Sequence, residues 1–301
     1  MTPDGSRRLE PFRPFDIRLT LGPLWRGHRD PTMRVGRGEV WRATRTPEGP
    51  ATCRVTADLT MQAWGPGSSW ALDRFPDLVG ADDDDAALAA LTPLDPVVAG
   101  LRRRFPGLRL GRTGAVLEAL VPAILEQKVI GSEAWRSFSL LVRRLGEPAP
   151  GPPGLFVPPS PETLARTPSY VWRRIGVERK RADAVRAAAS YARRLEEIVD
   201  LPRASAYARL RALPGVGAWT AAEVGLRALG DPDAVSVGDF HLPHLVAYAL
   251  AGEVRADDAR MLELLAPYAG QRGRVVRLIE AGGPAPPRFG PRLPRQRIAA
   301  L

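Results

Sequence analysis

The chain changes its hydrophobic period once, and this change limits the folds that it can adopt. Before residue 92, short segments such as residues 39–44 alternate apolar and polar side chains, which is typical of half-buried strands. After Asp95 the apolar residues recur at helical spacing instead, as Val116, Leu120 and Ile124 do. The pattern predicts an α+β protein in which a small antiparallel sheet precedes an all-α region.

These patterns divide the chain into three parts. We predict a sheet domain over residues 1–92, a helical domain over 93–285 and a basic tail, rich in Pro and Arg, over 286–301. The predicted strands are residues 15–21, 39–44, 53–57 and 59–64. Two further segments are predicted to be exposed: a Pro- and Gly-rich loop at 148–161, and an acidic run at 82–85 that we interpret as a solvated helix start.

The charge of the chain favours a polyanionic partner. Its 43 Lys and Arg residues exceed its 33 Asp and Glu residues and leave a formal net charge of +10, and nucleic acid is the polyanion that such a surface favours. An arginine-rich composition is also what a GC-rich genome produces, so the charge alone does not decide the partner. With 45% hydrophobic residues the chain can bury a core, which excludes a disordered protein.

Cysteine and histidine usage excludes several classes of site. Cys53 is the single cysteine, which excludes internal disulfides, cysteine-ligated zinc and a four-cysteine iron–sulfur cluster. Three histidines leave little for another side-chain metal site. The sequence shows neither the apolar run of a signal peptide nor a stretch long enough to span a membrane, so we expect a cytoplasmic, nucleoid-associated protein without membrane contact.

The most informative segment is the sequence LPGVG at residues 213–217, which joins helical patterns at 205–212 and 218–229. Gly215 and Gly217 permit positive φ and let a phosphate approach the backbone amides that begin the second helix, whose dipole favours an anion. We therefore predict a helix-hairpin-helix that binds the DNA backbone without reading its sequence. An ordinary corner between two helices is the alternative for a glycine turn of this kind.

A second motif follows the hairpin: the segment 235–239, which ends in Asp239 and opens a new helix. With this aspartate the chain resembles the helix-hairpin-helix/Gly-Pro-Asp superfamily of base-excision DNA glycosylases, and within it the bacterial DNA-3-methyladenine glycosylase II family. The segment 124–127 is similar to that family's Ile-Leu-Gly-Gln motif, and residues 20–32 are similar to part of its N-terminal domain. The resemblance covers most of the chain.

The resemblance implies an enzyme that hydrolyses the N-glycosidic bond of an alkylated, cationic purine flipped out of duplex DNA. It implies that Asp239 is the catalytic carboxylate, which stabilises an oxocarbenium-like sugar and helps to orient the attacking water. Asp239 is also placed to cap its helix, and both roles can hold. Bifunctional relatives carry a Schiff-base lysine where this chain has Trp219, so we expect the reaction to stop at hydrolysis.

The other predicted site residues fall into two groups. DNA contacts are predicted for Gln127, Lys128, Leu213, Gly215, Val216, Gly217 and Thr220. The predicted base pocket consists of Trp219, Glu223 and Phe240. Lys128 is the candidate wedge that fills the gap left by the flipped base, with a solvated lysine as the alternative.

Glu223 stands where close relatives have an aromatic residue that stacks on the base. It shares a helix face with Trp219, so it could attract a cationic base. An exposed or salt-bridged carboxylate is the alternative. His241 and His244 follow Asp239 without a third ligand, and we assign both to the helix surface.

The prediction includes no cofactor and no metal held by side chains, although a structural Na⁺ or K⁺ could bind the hairpin's backbone carbonyls. The expected partner is double-stranded DNA with a damaged base, bound by a monomer. Two alternatives stay open: a catalytically silent helix-hairpin-helix DNA-binding protein, and a glycosylase for a different lesion. Asp239 counts against the first, because a module that only binds DNA does not need this carboxylate.

Overall fold

Sixteen α-helices and two sheets make up the part of the chain that the computed structural model describes, residues 1–11, 14–91 and 94–287. The strands are β1 (Gly5–Arg8), β2 (Met33–Val35), β3 (Glu39–Thr46), β4 (Gly49–Thr56), β5 (Thr60–Trp64), β6 (Glu147–Pro148) and β7 (Phe156–Val157). The helices are α1 (Ile17–Leu21), α2 (Ser68–Asp73), α3 (Phe75–Leu78), α4 (Ala86–Ala90), α5 (Pro96–Arg104), α6 (Val116–Glu126), α7 (Gly131–Leu145), α8 (Pro161–Arg166), α9 (Ser169–Arg174), α10 (Arg179–Ser190), α11 (Ala192–Glu196), α12 (Arg203–Arg211), α13 (Ala218–Ala228), α14 (Leu242–Ala251), α15 (Asp258–Leu265) and α16 (Arg272–Gly282).

The N-terminal strands form a five-stranded antiparallel sheet in the order β1-β5-β4-β3-β2. Its longest hairpin, β3-β4, turns at Pro47 and Glu48. A proline cannot donate to a ladder, so the chain turns here as predicted. The predicted strands that the structure contains, with shifts of a few residues, are 39–44, 53–57 and 59–64.

The prediction of a strand over residues 15–21 is wrong, because most of this segment forms helix α1. The Asp16 carboxylate accepts hydrogen bonds from the amides of Arg18 (2.8 Å) and Leu19 (3.0 Å) and so caps the helix. Ile17 and Leu21, one turn apart, are then buried against the sheet core. Over so few residues, an alternation of apolar side chains also fits a single helical turn.

The buried side chains form three large clusters. One lies between the sheet and helices α1 to α3. The largest joins α6 to α13 and includes Leu120, Trp172 and Leu210. In the third, α4 and α5 pack with α14 to α16 around Met261 and Leu265. The helical region therefore contains two cores, and the hairpin between α12 and α13 is anchored in the larger one.

The segment 148–161 is not the exposed loop that the sequence predicts. Its first and middle parts form the small hairpin β6-β7, which packs on the sheet. Leu155 and Val157 are 3% and 0% exposed and contact Ala43, and the Phe156 amide donates to the Pro31 carbonyl at 2.8 Å. The proline and glycine content of the segment correctly predicted that the chain turns there. It could not show that the sheet would cover Leu155 and Val157.

The acidic run 82–85 leads into helix α4 as predicted, but two of its carboxylates form ion pairs, and one of them is nearly buried. Asp83 forms a two-point ion pair with the Arg274 guanidinium (2.5 and 2.9 Å), and both side chains are at least nine-tenths buried. Asp85 pairs with Arg102 at 2.7 Å. The run therefore ties α4 to α16 and α5. Within the described ranges, no group of His, Cys, Asp and Glu residues could hold a metal ion.

Two parts of the predicted domain division lie outside the described residues: positions 92 and 93 at the first boundary, and residues 288–301 of the basic tail. The division at 1–92, 93–285 and 286–301 stays a prediction. No helix in the described part of the chain is long and apolar enough to cross a membrane.

Candidate DNA interface and active site

The hairpin between α12 and α13 is a tight turn anchored by buried side chains. The Val216 amide donates to the Leu213 carbonyl (3.1 Å), and Gly215 has a φ of +82°, in the left-handed region that favours glycine. Leu213 and Val216 are 9% and 6% exposed and belong to the largest core. Their side chains hold the turn from inside, and the prediction that these two residues contact DNA stays a prediction.

The first turn of α13 can receive an anion. Its N-cap, Gly217, is extended, with a φ of −93°, and no side chain caps the helix. A Cβ built on Gly217 would meet no atom within 4 Å, so this side of the turn is open. The first amides of a helix have no intrahelical partner and carry the positive end of its dipole. The geometry matches what a phosphate group requires.

Gln127 ties the hairpin to the end of α6. Its side-chain amide donates to the Gly215 carbonyl and to the Thr220 hydroxyl, both at 2.8 Å. Thr220 is 2% exposed. The polar groups of these two residues bind each other and position the turn, and the prediction that they contact DNA stays a prediction.

Lys128 follows Gln127 and is exposed beside the hairpin. Its φ is +55°, a conformation that costs free energy for any residue other than glycine. Strained backbone of this kind persists where the surrounding structure holds it in place. The Gln127 contacts supply such a restraint, and the exposed lysine is consistent with the predicted wedge, which stays a prediction.

Asp239 is held by three hydrogen bonds at the start of α14. Its Oδ1 accepts from the amides of His241 (2.8 Å) and Leu242 (2.9 Å), and its Oδ2 accepts from the Trp219 indole Nε1 (3.0 Å). Asp239 is not the N-cap that the sequence predicts, because the helix begins at Leu242 and its N-cap is His241. The Asp239 carboxylate accepts instead from the amides of the N-cap and the first helical residue. A carboxylate fixed in this way beside an open turn can stabilise positive charge that develops near it.

Glu223 lies one turn beyond Trp219 on α13, as predicted, but it is not a lone charge. Its Oε2 is 2.5 Å from the Arg227 guanidinium, and its Oε1 accepts from the Ser236 hydroxyl at 2.5 Å. The side chain is 12% exposed. The hypothesis that Glu223 attracts a cationic base is corrected to the salt-bridged alternative, because Arg227 neutralises the carboxylate.

The Glu223 pair belongs to a set of four charged side chains, Arg26, Glu126, Glu223 and Arg227, which we call the junction cluster. Arg26 Nε lies 3.6 Å from Glu126 Oε1, and the Arg227 guanidinium donates to the Pro23 carbonyl at 3.2 Å. Burial lowers the pKa of Arg26, and Arg227 nearby lowers it further. Burial alone would also lower the pKa of Arg227. The negative charges of Glu223 and Glu126 outweigh that effect, so the pKa of Arg227 is raised.

The junction cluster connects three parts of the chain: the segment before β2, the end of α6 that precedes Lys128, and the helix α13 that carries Trp219. Sequence reasoning missed Arg26, Glu126 and Ser236 here. The spacing of four between Glu223 and Arg227 could have indicated one pair of the cluster. The contacts between distant segments have no signal in the sequence.

Phe240 does not line an enclosed pocket. Its ring is 74% exposed and packs edge-on against His241, with 4.9 Å between the ring centroids. The prediction placed it in the base pocket because it follows Asp239, but the loop turns it to the surface. His244 Nδ1 accepts from the Ala256 amide at 3.1 Å, which fixes that imidazole on the helix surface.

Comparisons with known proteins agree with this architecture. The chain is 34% identical over 188 residues to a Mycobacterium tuberculosis protein described as a probable bifunctional transcriptional activator/DNA repair enzyme AlkA; the match covers 57% of this chain and 37% of that relative. The chain therefore matches little more than a third of the curated relative's length. No family model matches. The resemblance to the DNA-3-methyladenine glycosylase II family that the sequence indicated is confirmed.

Solved structures show the same fold. A 3-methyladenine DNA glycosylase from Archaeoglobus fulgidus superposes with a TM-score of 0.76 at 19% identity, covering 92% of this chain and 97% of that one. An 8-oxoguanine glycosylase/lyase from Clostridium acetobutylicum, in complex with duplex DNA, has a TM-score of 0.69 at 12% identity and covers 93% and 97%. The predicted fold class, α+β with a small antiparallel sheet followed by a helical region that contains the helix-hairpin-helix, is confirmed.

Proposed function

We propose that this chain is a DNA glycosylase that removes a damaged purine from duplex DNA by hydrolysis, with alkylated purines as its substrate class. The observation that carries the proposal is the Asp239 carboxylate, which two helix amides and the Trp219 indole hold beside the anion-binding turn of the hairpin. The matched relative described as a DNA repair enzyme supports the same class of activity.

The reaction replaces the bond from the sugar C1′ to the base nitrogen with a bond from C1′ to a water oxygen. The electron pair of the broken bond leaves with the base, and positive charge develops on the sugar. Asp239 stabilises that charge electrostatically and orients the water, whose proton is released as the new bond forms. A cationic alkylated purine leaves as a neutral base, so it needs no general acid.

The hairpin binds the DNA backbone. The amides of the first turn of α13 bind a backbone phosphate, and the flipped nucleotide then faces Asp239. Lys128 fills the gap in the base stack, with its aliphatic stem between the neighbouring bases and its ammonium near a phosphate. The Gly215 carbonyl already accepts a hydrogen bond from Gln127. The proposal keeps a structural Na⁺ or K⁺ bound by the other backbone carbonyls of the hairpin.

The proposed enzyme is monofunctional and acts as a cytoplasmic monomer. The indole of Trp219 donates to Asp239, and an indole nitrogen cannot form a Schiff base with the sugar. Strand cleavage by β-elimination therefore has no nucleophile at this position. The basic residues 286–301 add charge that favours DNA.

The experiment that tests the proposal measures free base released from duplex DNA treated with a methylating agent. We expect release of methylated purines, with no covalent complex trapped by borohydride. Unmodified duplex serves as the control. Tight DNA binding without release of any base would support the silent DNA-binding protein instead. Efficient trapping would contradict the monofunctional mechanism.

A further inference from the structure

The loop that carries Asp239, residues 235–239, contains a tight turn. The Asp239 amide donates to the Ser236 carbonyl at 3.2 Å, which closes a turn of four residues. The third residue of the turn, Gly238, has a φ of +93°, in the left-handed region that favours glycine. The conformation of this turn therefore sets the direction in which the backbone enters Asp239.

The turn does not supply an acceptor for one of its own amides. The hydrogen bond of a four-residue turn joins the first and fourth residues, so the amide of the third needs an acceptor elsewhere. That acceptor is the carboxylate of Asp258 on α15: the Gly238 amide donates to its Oδ1 at 3.1 Å and to its Oδ2 at 3.0 Å. A side chain 20 residues further along the chain thus holds the turn that leads into the proposed catalytic carboxylate.

Asp258 lies on a well-packed helix and is not the residue that caps it. The N-cap of α15 is Asp257, whose Oδ1 accepts from the Arg260 amide at 2.9 Å. Three residues after Asp258, Met261 is fully buried in the core that α15 shares with α14. Because this core fixes α15 against α14, the Asp258 carboxylate has a fixed position relative to the loop that carries Asp239.

The bond to Asp258 selects one of two conformations of the turn. The peptide group between Val237 and Gly238 can flip, which reverses the direction of the Gly238 N–H and converts one common turn type into the other. Glycine tolerates both conformations, so Gly238 itself does not choose between them. Only the observed one directs the N–H at Asp258. A flip would redirect the backbone before Asp239, and a displacement of about 1 Å in a catalytic group can cost about a hundredfold in rate.

We propose that Asp258 is a positioning residue of the active site: its carboxylate holds the turn in the conformation that directs Asp239 at the sugar. This inference rests on the proposed glycosylase function. Asp258 acts through the backbone amide of Gly238 and takes no part in the chemistry. What the site requires at position 258 is therefore an acceptor oxygen at the right distance, and not a negative charge.

Two substitutions of Asp258 in the full chain test this proposal. Excision from methylated duplex DNA is measured under single-turnover conditions, and affinity for an abasic duplex is measured alongside. Asp258→Ala removes the acceptor and should lower the excision rate about tenfold, with affinity within about twofold of the wild type because the hairpin is untouched. Asp258→Asn keeps an acceptor oxygen and should excise within about threefold of the wild-type rate. Asp257→Asn makes the same charge change at the neighbouring residue and is the matched control.

Hydrogen exchange of single amides, followed by NMR, gives a readout that does not depend on activity. The Gly238 amide should exchange about tenfold faster in Asp258→Ala than in the wild type, because the substitution removes its acceptor. Asp258→Asn should retain the protection. The Arg260 amide, which Asp257 binds, should exchange at the same rate in all three proteins and shows that α15 remains folded.

Four results would overturn the inference. The first is a wild-type excision rate in Asp258→Ala, which would leave the glycosylase function intact. The second is an Asp258→Asn variant as slow as Asp258→Ala, since charge and not the hydrogen bond would then matter. The third is a parallel loss of excision and of abasic-DNA affinity in Asp258→Ala, which would indicate a general structural role. The fourth is failure of the wild-type chain to release any base, which would remove the proposed function together with the inference.

Discussion

Gly215 and Gly217 have different roles in the hairpin, although the sequence presents them as equivalent. The fold of the hairpin requires glycine at position 215, because φ there is +82° and an added Cβ would lie 2.9 Å from the Ala184 Cβ. Gly217 has ordinary extended backbone and open space where a Cβ would point. The absence of a side chain at Gly217 therefore matters for the approach of a DNA phosphate and not for the fold.

Alanine at each position should therefore have a separate effect. Gly215→Ala should lower the free energy of unfolding by about 1–3 kcal/mol, because both the backbone conformation and the contact with α10 become strained. Gly217→Ala should unfold like the wild type in urea but bind an abasic duplex about tenfold more weakly, since the methyl group obstructs the phosphate.

Gly100→Ala is the control for the DNA measurement, because Gly100 lies within α5 and an added Cβ there meets no neighbour. Its affinity for the duplex should match that of the wild type. If Gly217→Ala and Gly100→Ala bind the abasic duplex equally well at about 0.1 M salt, no phosphate lies against this turn.

At the scale of elements, the junction cluster holds α13 against α6 and the N-terminal segment. Glu223 and Arg227 are 12% and 18% exposed, so removal of one partner leaves a charge that water reaches poorly. Glu223→Gln should lower the free energy of unfolding by about 3 kcal/mol. The double variant Glu223→Met with Arg227→Met should recover most of that loss, because Arg26 and Glu126 remain as a pair.

Urea unfolding checks this prediction. The matched control is Glu263→Gln, which breaks an exposed pair with Arg260 on α15 and should leave the urea midpoint of unfolding unchanged. A loss from Glu223→Gln as small as that of the control would mean that the junction cluster does not stabilise the interface between these elements.

The elements also show how far the sequence determines the structure. Helices α12 and α13 lie within two residues of their predicted bounds, because a glycine turn and a sustained helical period are local signals. Helix α1 was missed because a five-residue segment carries too little periodicity to separate a helix from a strand. The hairpin β6-β7 was missed because its burial depends on the sheet, which is distant in sequence.

The candidate site also has features that are local in sequence, which could be predicted, and features that depend on distant segments, which could not. The open turn at Gly217 depends on neighbours in sequence and could be predicted. That Asp239 binds amides at the start of a helix could also be predicted, but not that His241 would be the N-cap. The contact from Trp219 to Asp239 and the hydrogen bond from Ser236 to Glu223 depend on how α13 packs against the loop before α14. Phe240 points to solvent for the same reason.

For the whole molecule, the formal net charge of +10 predicts a strongly salt-dependent affinity for DNA. If about four phosphates are neutralised, the logarithm of the binding constant should fall with the logarithm of salt concentration at a slope of roughly −3.6. Affinity for an undamaged duplex should then drop about a hundredfold between roughly 0.05 and 0.2 M salt.

A titration by fluorescence anisotropy at four or five salt concentrations gives the slope. Lys128→Met should make it shallower by about one, if the lysine ammonium lies near a phosphate. A wild-type slope shallower than about −1 would indicate that the positive charge does not serve DNA binding and reflects composition alone.

The central claim is that Asp239 performs base excision, and substitution of this one carboxylate tests it most directly. Asparagine keeps the shape and an oxygen that can accept from the His241 and Leu242 amides but removes the negative charge. Asp239→Asn should therefore lower the single-turnover excision rate by about a thousandfold and leave affinity for abasic DNA within about threefold. Asp257→Asn, at the N-cap of α15, is the matched control and should keep full activity. An Asp239→Asn variant that retains more than about a tenth of the wild-type rate would contradict the claim.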